Sequence, residues 1–115
     1  MRLPLLLAVT LALAAPATAA APARLLVGAQ EFQLRLSRAS IKAGPAVVQL
    51  ANYGQDAHDL RLRRIGGTRT YKIGTVTPGE TGELDAKLLP GTYKLWCSLA
   101  DHATLGMHTK LVVKR

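Results

Sequence analysis

Cys97 is the single thiol of this 115-residue chain, which also has three histidines and two methionines. The pattern Cys97-x₄-His102-x₄-Met107 puts a thiol, an imidazole and a thioether on one short segment. A second imidazole, His58, follows the turn-rich stretch from Asn52 to Ala57. Each residue has an ordinary reading when taken singly: a packed small hydrophobe for Cys97, a hydrogen-bonded boundary residue for His58, a surface loop residue for His102 and core filler for Met107. One cysteine cannot close an internal bridge, so Cys97 is a buried inert thiol, an intermolecular linker or a metal ligand. The conjunction favours the metal. Thiolate and thioether are soft enough for Cu(I), imidazole suits both oxidation states, and a trigonal His₂Cys set with a weak thioether beyond it is a copper set. Zinc is the rival ion, but structural zinc usually takes Cys₄, Cys₃His or Cys₂His₂, which a single Cys with Met fits poorly.

These side chains need a frame that gathers them. Short segments of period two lie between dense Gly and Pro punctuation, the pattern of half-buried strands. Phe32, Leu34 and Leu36 alternate with polar neighbours, as do His58, Leu60 and Leu62, then Leu84, Ala86 and Leu88, then Tyr93, Leu95 and Cys97. Met107, Thr109, Leu111 and Val113 share one phase, and Val47 to Leu50 is a continuous apolar run suited to a central strand. With Arg24 to Val27 and Ile73 to Val76, about eight strands are expected in an antiparallel sandwich or barrel, with no helix longer than a turn. His58, Cys97 and Met107 fall on the apolar phase and point inward. Cys97 ends one strand, Met107 begins the next and His102 lies on the loop between them. If the strand of His58 runs antiparallel to that of Cys97, all four meet at one end.

The stretches Asn52-Tyr53-Gly54-Gln55-Asp56-Ala57-His58-Asp59-Leu60 and Pro90 to Met107 carry a resemblance to the cupredoxin family, the plastocyanin-like and azurin-like small copper proteins. The resemblance runs over essentially all of residues 24–115. It implies an all-β, Greek-key β-sandwich of about seven to eight strands, one type 1 (blue) copper bound by His58, Cys97, His102 and Met107, and single-electron transfer between redox partners. It also implies that His102, on the Cys-to-Met loop, is the electron's route to the surface. There are two departures. Many relatives have Pro-Gly before the loop histidine, where this chain has Ala100-Asp101; an ionised carboxylate beside the copper would favour Cu(II). Relatives commonly carry Asn after the first histidine, and Asp59 stands here, which cannot donate a hydrogen bond when ionised. His108, next to Met107, points away from the site on strand phasing.

Arg2 is the only charge before Arg24, and Leu5 to Ala15 is apolar except for Thr10. Residues 1–20 therefore read as a secretory signal peptide with cleavage near Ala19 to Ala21, followed by one domain at 24–115. Export implies a periplasmic or otherwise extracytoplasmic location, with copper loaded after export. The 15 Lys and Arg against 7 Asp and Glu favour an acidic partner. The expected partner is a redox protein with an acidic docking surface, such as a cytochrome or a copper oxidoreductase, and anionic phospholipid is a further surface for peripheral contact. Nucleic acid is not expected, because the chain is exported and single-strand binding needs rings for bases to stack on, of which this sequence has few. Arg61, Arg63, Arg64, Arg69 and Lys72 are the densest basic cluster, and most of them read better as a solvated strand face kept soluble by charge than as a binding patch. The protein is expected to be a monomer and not an enzyme. A second copper centre would need further histidine clusters, and no G-x-S-x-G frame surrounds Ser37, Ser40 or Ser98. The alternative function is copper storage or delivery without redox shuttling.

Overall fold

The alternating segments fold as strands in the computed structural model, which describes residues 1–15 and 21–115. In chain order they are β1 (Ala23–Gln30), β2 (Gln33–Leu36), β3 (Ser40–Lys42), β4 (Gly44–Asn52), β5 (His58–Arg64), β6 (Thr70–Val76), β7 (Thr81–Leu88), β8 (Gly91–Trp96) and β9 (His108–Lys114), with one helical turn, α1 (His102–Leu105), before the last. Residues 1–15 are exposed and without regular structure, and Ala19 and Ala20 of the expected cleavage zone lie outside the described residues. Among the described residues no helix is long and apolar enough to cross a membrane.

Two sheets form, one in the order β2-β1-β4-β7 and the other β3-β9-β8-β5-β6. The chain passes back and forth between them, which makes the Greek-key β-sandwich. The period-two phases meet inside it. Leu25, Val27 and Ala29 of β1, Val48 and Leu50 of β4, Leu60 and Leu62 of β5, Tyr93 and Leu95 of β8 and Leu111 and Val113 of β9 share one buried core. Burying each of the larger aliphatic side chains is worth about 2 kcal/mol, and with Cys97 unbridged this core has to hold the two sheets together.

The structure departs from the sequence reading in its strand pairing, in one strand and at Phe32. β1 pairs with β4, and β3 with β9, in parallel, so the sheets are mixed rather than antiparallel; side-chain alternation is the same for either partner direction and cannot tell them apart. β3 is an additional strand, whose three residues include only one buried apolar side chain, Ile41, too few for a period to register. Phe32 lies in the turn before β2 rather than in the strand.

Candidate metal centre

Antiparallel pairing of β8 with β5 on one side and β9 on the other brings the start of β5, the end of β8 and the start of β9 to one end of the sandwich. Cys97 follows β8 directly. Its N–H donates to the Met107 carbonyl at 3.1 Å, the Met107 N–H donates to the His102 carbonyl at 3.0 Å, and the His102 N–H donates to the Leu99 carbonyl at 3.1 Å. The segment is thereby closed at its neck and turned once through α1. Gly106 ends that turn at φ 131°, where a Cβ would also lie 2.6 Å from the Phe32 carbonyl oxygen. Only glycine meets both demands.

The approach to His58 is fixed by Asn52, which is 1% exposed. Its Nδ2 donates to the carbonyls of Asp56 at 2.8 Å and Val76 at 2.9 Å, and its Oδ1 accepts the Gly54 N–H at 2.8 Å. That Asx turn aims the chain into β5. The register with β6 then shifts between His58 and Leu60. A bulge of this kind re-aims side chains, and here His58, Asp59 and Leu60 are all buried in succession. Strict alternation had put Asp59 outside.

The Cys97 sulfur lies 3.6 Å from Nδ1 of His102 and 4.0 Å from Nδ1 of His58, and the two nitrogens are 3.2 Å apart. One donor atom from each residue falls within 4.8 Å of the others, a grouping that could hold a metal ion. His58 and Cys97 are 0% exposed and His102 8%. Met107 is fully buried beside them, its backbone bonded to both Cys97 and His102. His108 is exposed on the outer face of its sheet, across from Trp96.

Around this cluster stand carboxylates, two of them in positions that sequence reasoning did not assign. Glu31, in the β1–β2 turn, places Oε1 3.1 Å from Nε2 of His58. The same oxygen accepts the N–H groups of Gln55 at 2.8 Å and Asp56 at 2.7 Å. These bonds, the one from Asp56 foremost, hold its pKa down at about 2. Asp56 lies further off, with Oδ2 3.8 Å from Nε2 of His102. Asp59 binds by accepting: Oδ1 takes the Ser98 N–H at 2.6 Å, Oδ2 takes the Ser98 hydroxyl, and the Arg61 Nε is 3.5 Å from Oδ2. A donor is therefore not needed there to tie the start of β5 to the segment after Cys97. The Asp59 N–H points at the Cys97 sulfur from 3.5 Å. Burial pushes the Cys97 thiol up from its ordinary pKa, with that N–H opposing. The Phe32 ring packs against His102, 5.3 Å between centroids. No local spacing connects Glu31 or Phe32 to either histidine, and only the pairing of β1 with β4 brings them near.

No protein-family model matches the sequence, and no curated protein sequence matches it. Solved structures do. Auracyanin B superposes with a TM-score of 0.66 at 17% identity, over 85% of this chain and 94% of that one. Auracyanin A, described as a "blue" copper protein from the green thermophilic photosynthetic bacterium Chloroflexus aurantiacus, gives 0.65 at 16% identity, over 82% and 100%. Rusticyanin from Thiobacillus ferrooxidans gives 0.62 at 16% identity, over 79% and 76%. The chain has the cupredoxin fold. As a cupredoxin sandwich it joins a likeness in three dimensions to a sequence far diverged from those structures, and its His58, Cys97 and His102 cluster has the donor types of a blue copper site.

Proposed function

We propose that the chain is an exported type 1 copper protein that carries single electrons between redox partners and is not itself an enzyme. The observation that carries this is the convergence of one thiol sulfur and two imidazole Nδ1 atoms, within 4.8 Å of one another, on three buried residues. The donor set fits copper: a thiolate with two imidazoles, which Met107 would join as a weak thioether, suits Cu(I) and Cu(II) alike. When bound, the ion supplies a one-electron couple. His58, Cys97 and His102 would hold it, and the hydrogen bonds that fix the backbones of Cys97 and His102 would limit rearrangement there. Cys97 must release its proton first, and the Asp59 N–H offers the resulting thiolate a donor. His102, the most exposed of the three, would be the group through which an electron leaves.

Docking is assigned to the outer face of the five-stranded sheet. Cross-strand register lines up Arg63, Lys94 and Lys110 in one row, and Lys72, Arg61, Trp96 and His108 in the next. Directly opposed like charges are destabilising, and an acidic partner would relieve that repulsion. Association should then be steered by charge and weaken as salt rises. The leader at residues 1–20 supports an extracytoplasmic location.

Adding Cu(II) to the purified mature domain tests the reading. An intense blue thiolate-to-copper band should appear, vanish in Cys97→Ser and persist in His108→Ala. A colourless complex would remove the electron-carrier reading and leave copper storage or delivery. Met107→Leu should keep the colour and raise the potential, because a donor that stabilises Cu(II) has gone; an unchanged potential would mean that Met107 is not axial.

A further inference from the structure

His58 is 0% exposed, so both ring nitrogens must find their partners within the protein. On the inner side Nδ1 faces Nδ1 of His102 at 3.2 Å and the Cys97 sulfur at 4.0 Å. On the outer side Nε2 meets Oε1 of Glu31 at 3.1 Å. An ionised carboxylate only accepts, so Nε2 must be the donor, and in a neutral ring the lone pair then sits on Nδ1. Glu31 is itself held in place. The oxygen that receives Nε2–H also receives the N–H groups of Gln55 and Asp56, immediately upstream of His58. Gly54 closes the arrangement from the other side, since any Cβ there would collide with the Glu31 carboxylate.

We propose that Glu31 is a positioning residue for the cluster: its carboxylate keeps the His58 proton on Nε2, turns the Nδ1 lone pair toward Cys97 and His102, and adds a fixed negative charge that favours the more highly charged ion. This rests on the metal reading above. Carboxylate–imidazole–metal relays of this kind orient the ring and strengthen it as a donor, and losing the outer partner typically costs 10- to 100-fold in metal affinity. His102 has no equivalent, because Asp56 stands 3.8 Å from its Nε2 and is 54% exposed at its side chain. Glu31 therefore acts on one of the two imidazoles.

The test has one arm without metal and one with it. Long-range ¹H–¹⁵N correlation spectra of the metal-free wild-type protein should show His58 with its proton on Nε2; a proton on Nδ1 would overturn the orienting role. Glu31→Gln keeps an oxygen for the Gln55 and Asp56 amides, so the turn survives while the charge is lost. Its Cu(II) affinity, measured by competition with a chelator, should fall about 10- to 100-fold, and its reduction potential should rise. Glu83→Gln, which removes the same charge from the exposed side of β7, controls for net charge and should leave both quantities close to wild type. A Glu31→Gln affinity within about twofold of wild type, or an equal loss in Glu83→Gln, would sink the proposal. If the wild-type protein takes up no copper, the metal reading fails together with the charge effect, and the tautomer still decides whether Glu31 orients the ring.

Discussion

His58 and His102 offer the same atom, Nδ1, to the same point, but they are held there in opposite ways. His58 opens a strand at a bulge, is sealed from solvent, and has a carboxylate locked onto its far nitrogen at 3.1 Å. His102 sits on a single helical turn within a loop, keeps 8% exposure, and has its nearest carboxylate at 3.8 Å. The strand-borne imidazole is built into the scaffold, whereas the loop-borne one is held by its own segment and by the Phe32 ring. On the proposed electron-carrier function, a centre that keeps a fixed geometry and also communicates with a partner needs one group of each kind. The difference lies in what surrounds each ring, since the two residues are chemically identical.

Truncation should split the pair most widely. His58→Ala in the metal-free protein removes a fully buried ring together with its contact to Glu31, with an expected loss of about 3 kcal/mol; His102→Ala should cost about 1 kcal/mol. Urea unfolding midpoints measure both, and equal losses would erase the distinction. Acid comes next. The Glu31 pKa is lowered in the folded state from 4.5 to about 2, so its contribution is fully present above about pH 4.5 and is lost as pH falls toward 2. Unfolding midpoints of the wild type should decline across that window, and Glu31→Gln should flatten the decline. A wild-type curve matching that of Glu31→Gln would mean that the His58 side is no better anchored than the other. Asp56→Asn should do least, shifting stability by less than about 0.5 kcal/mol, because a mostly exposed carboxylate outside hydrogen-bonding distance contributes little. A larger shift would place His102 under the same kind of control as His58.

The sequence makes legible whatever depends on local period or on residue type. The inward phase of His58, Cys97 and Met107, the strand-loop-strand setting of Cys97 and His102, and the outward His108 all follow from alternation and hold in the structure. Alternation fails at Asp59, where the bulge carries a polar residue inside, and a bulge leaves no mark in a single sequence. It is silent on the direction of β1 relative to β4, and Glu31 reaches His58 only because of that pairing. The chemistry of the donors was readable from their types, while the carboxylates behind them belong to turns whose positions are set by sheet order. Asp59 shows a second kind of gap: its identity suggested a missing donor, and only the Ser98 N–H and hydroxyl reveal that the same link is made with the polarity reversed.

The bond from the Cys97 amide to the Met107 carbonyl has a bearing on how such a molecule can change. It pins both ends of a hairpin excursion that contains sulfur, imidazole and thioether together, so residues gained or lost inside the excursion reshape the pocket while β8 and β9 keep their alignment. If the proposed copper centre is present, descendants of this chain could thus vary its colour and driving force by editing one cassette, with the remaining imidazole at the head of β5 as the fixed point against which each new arrangement is built.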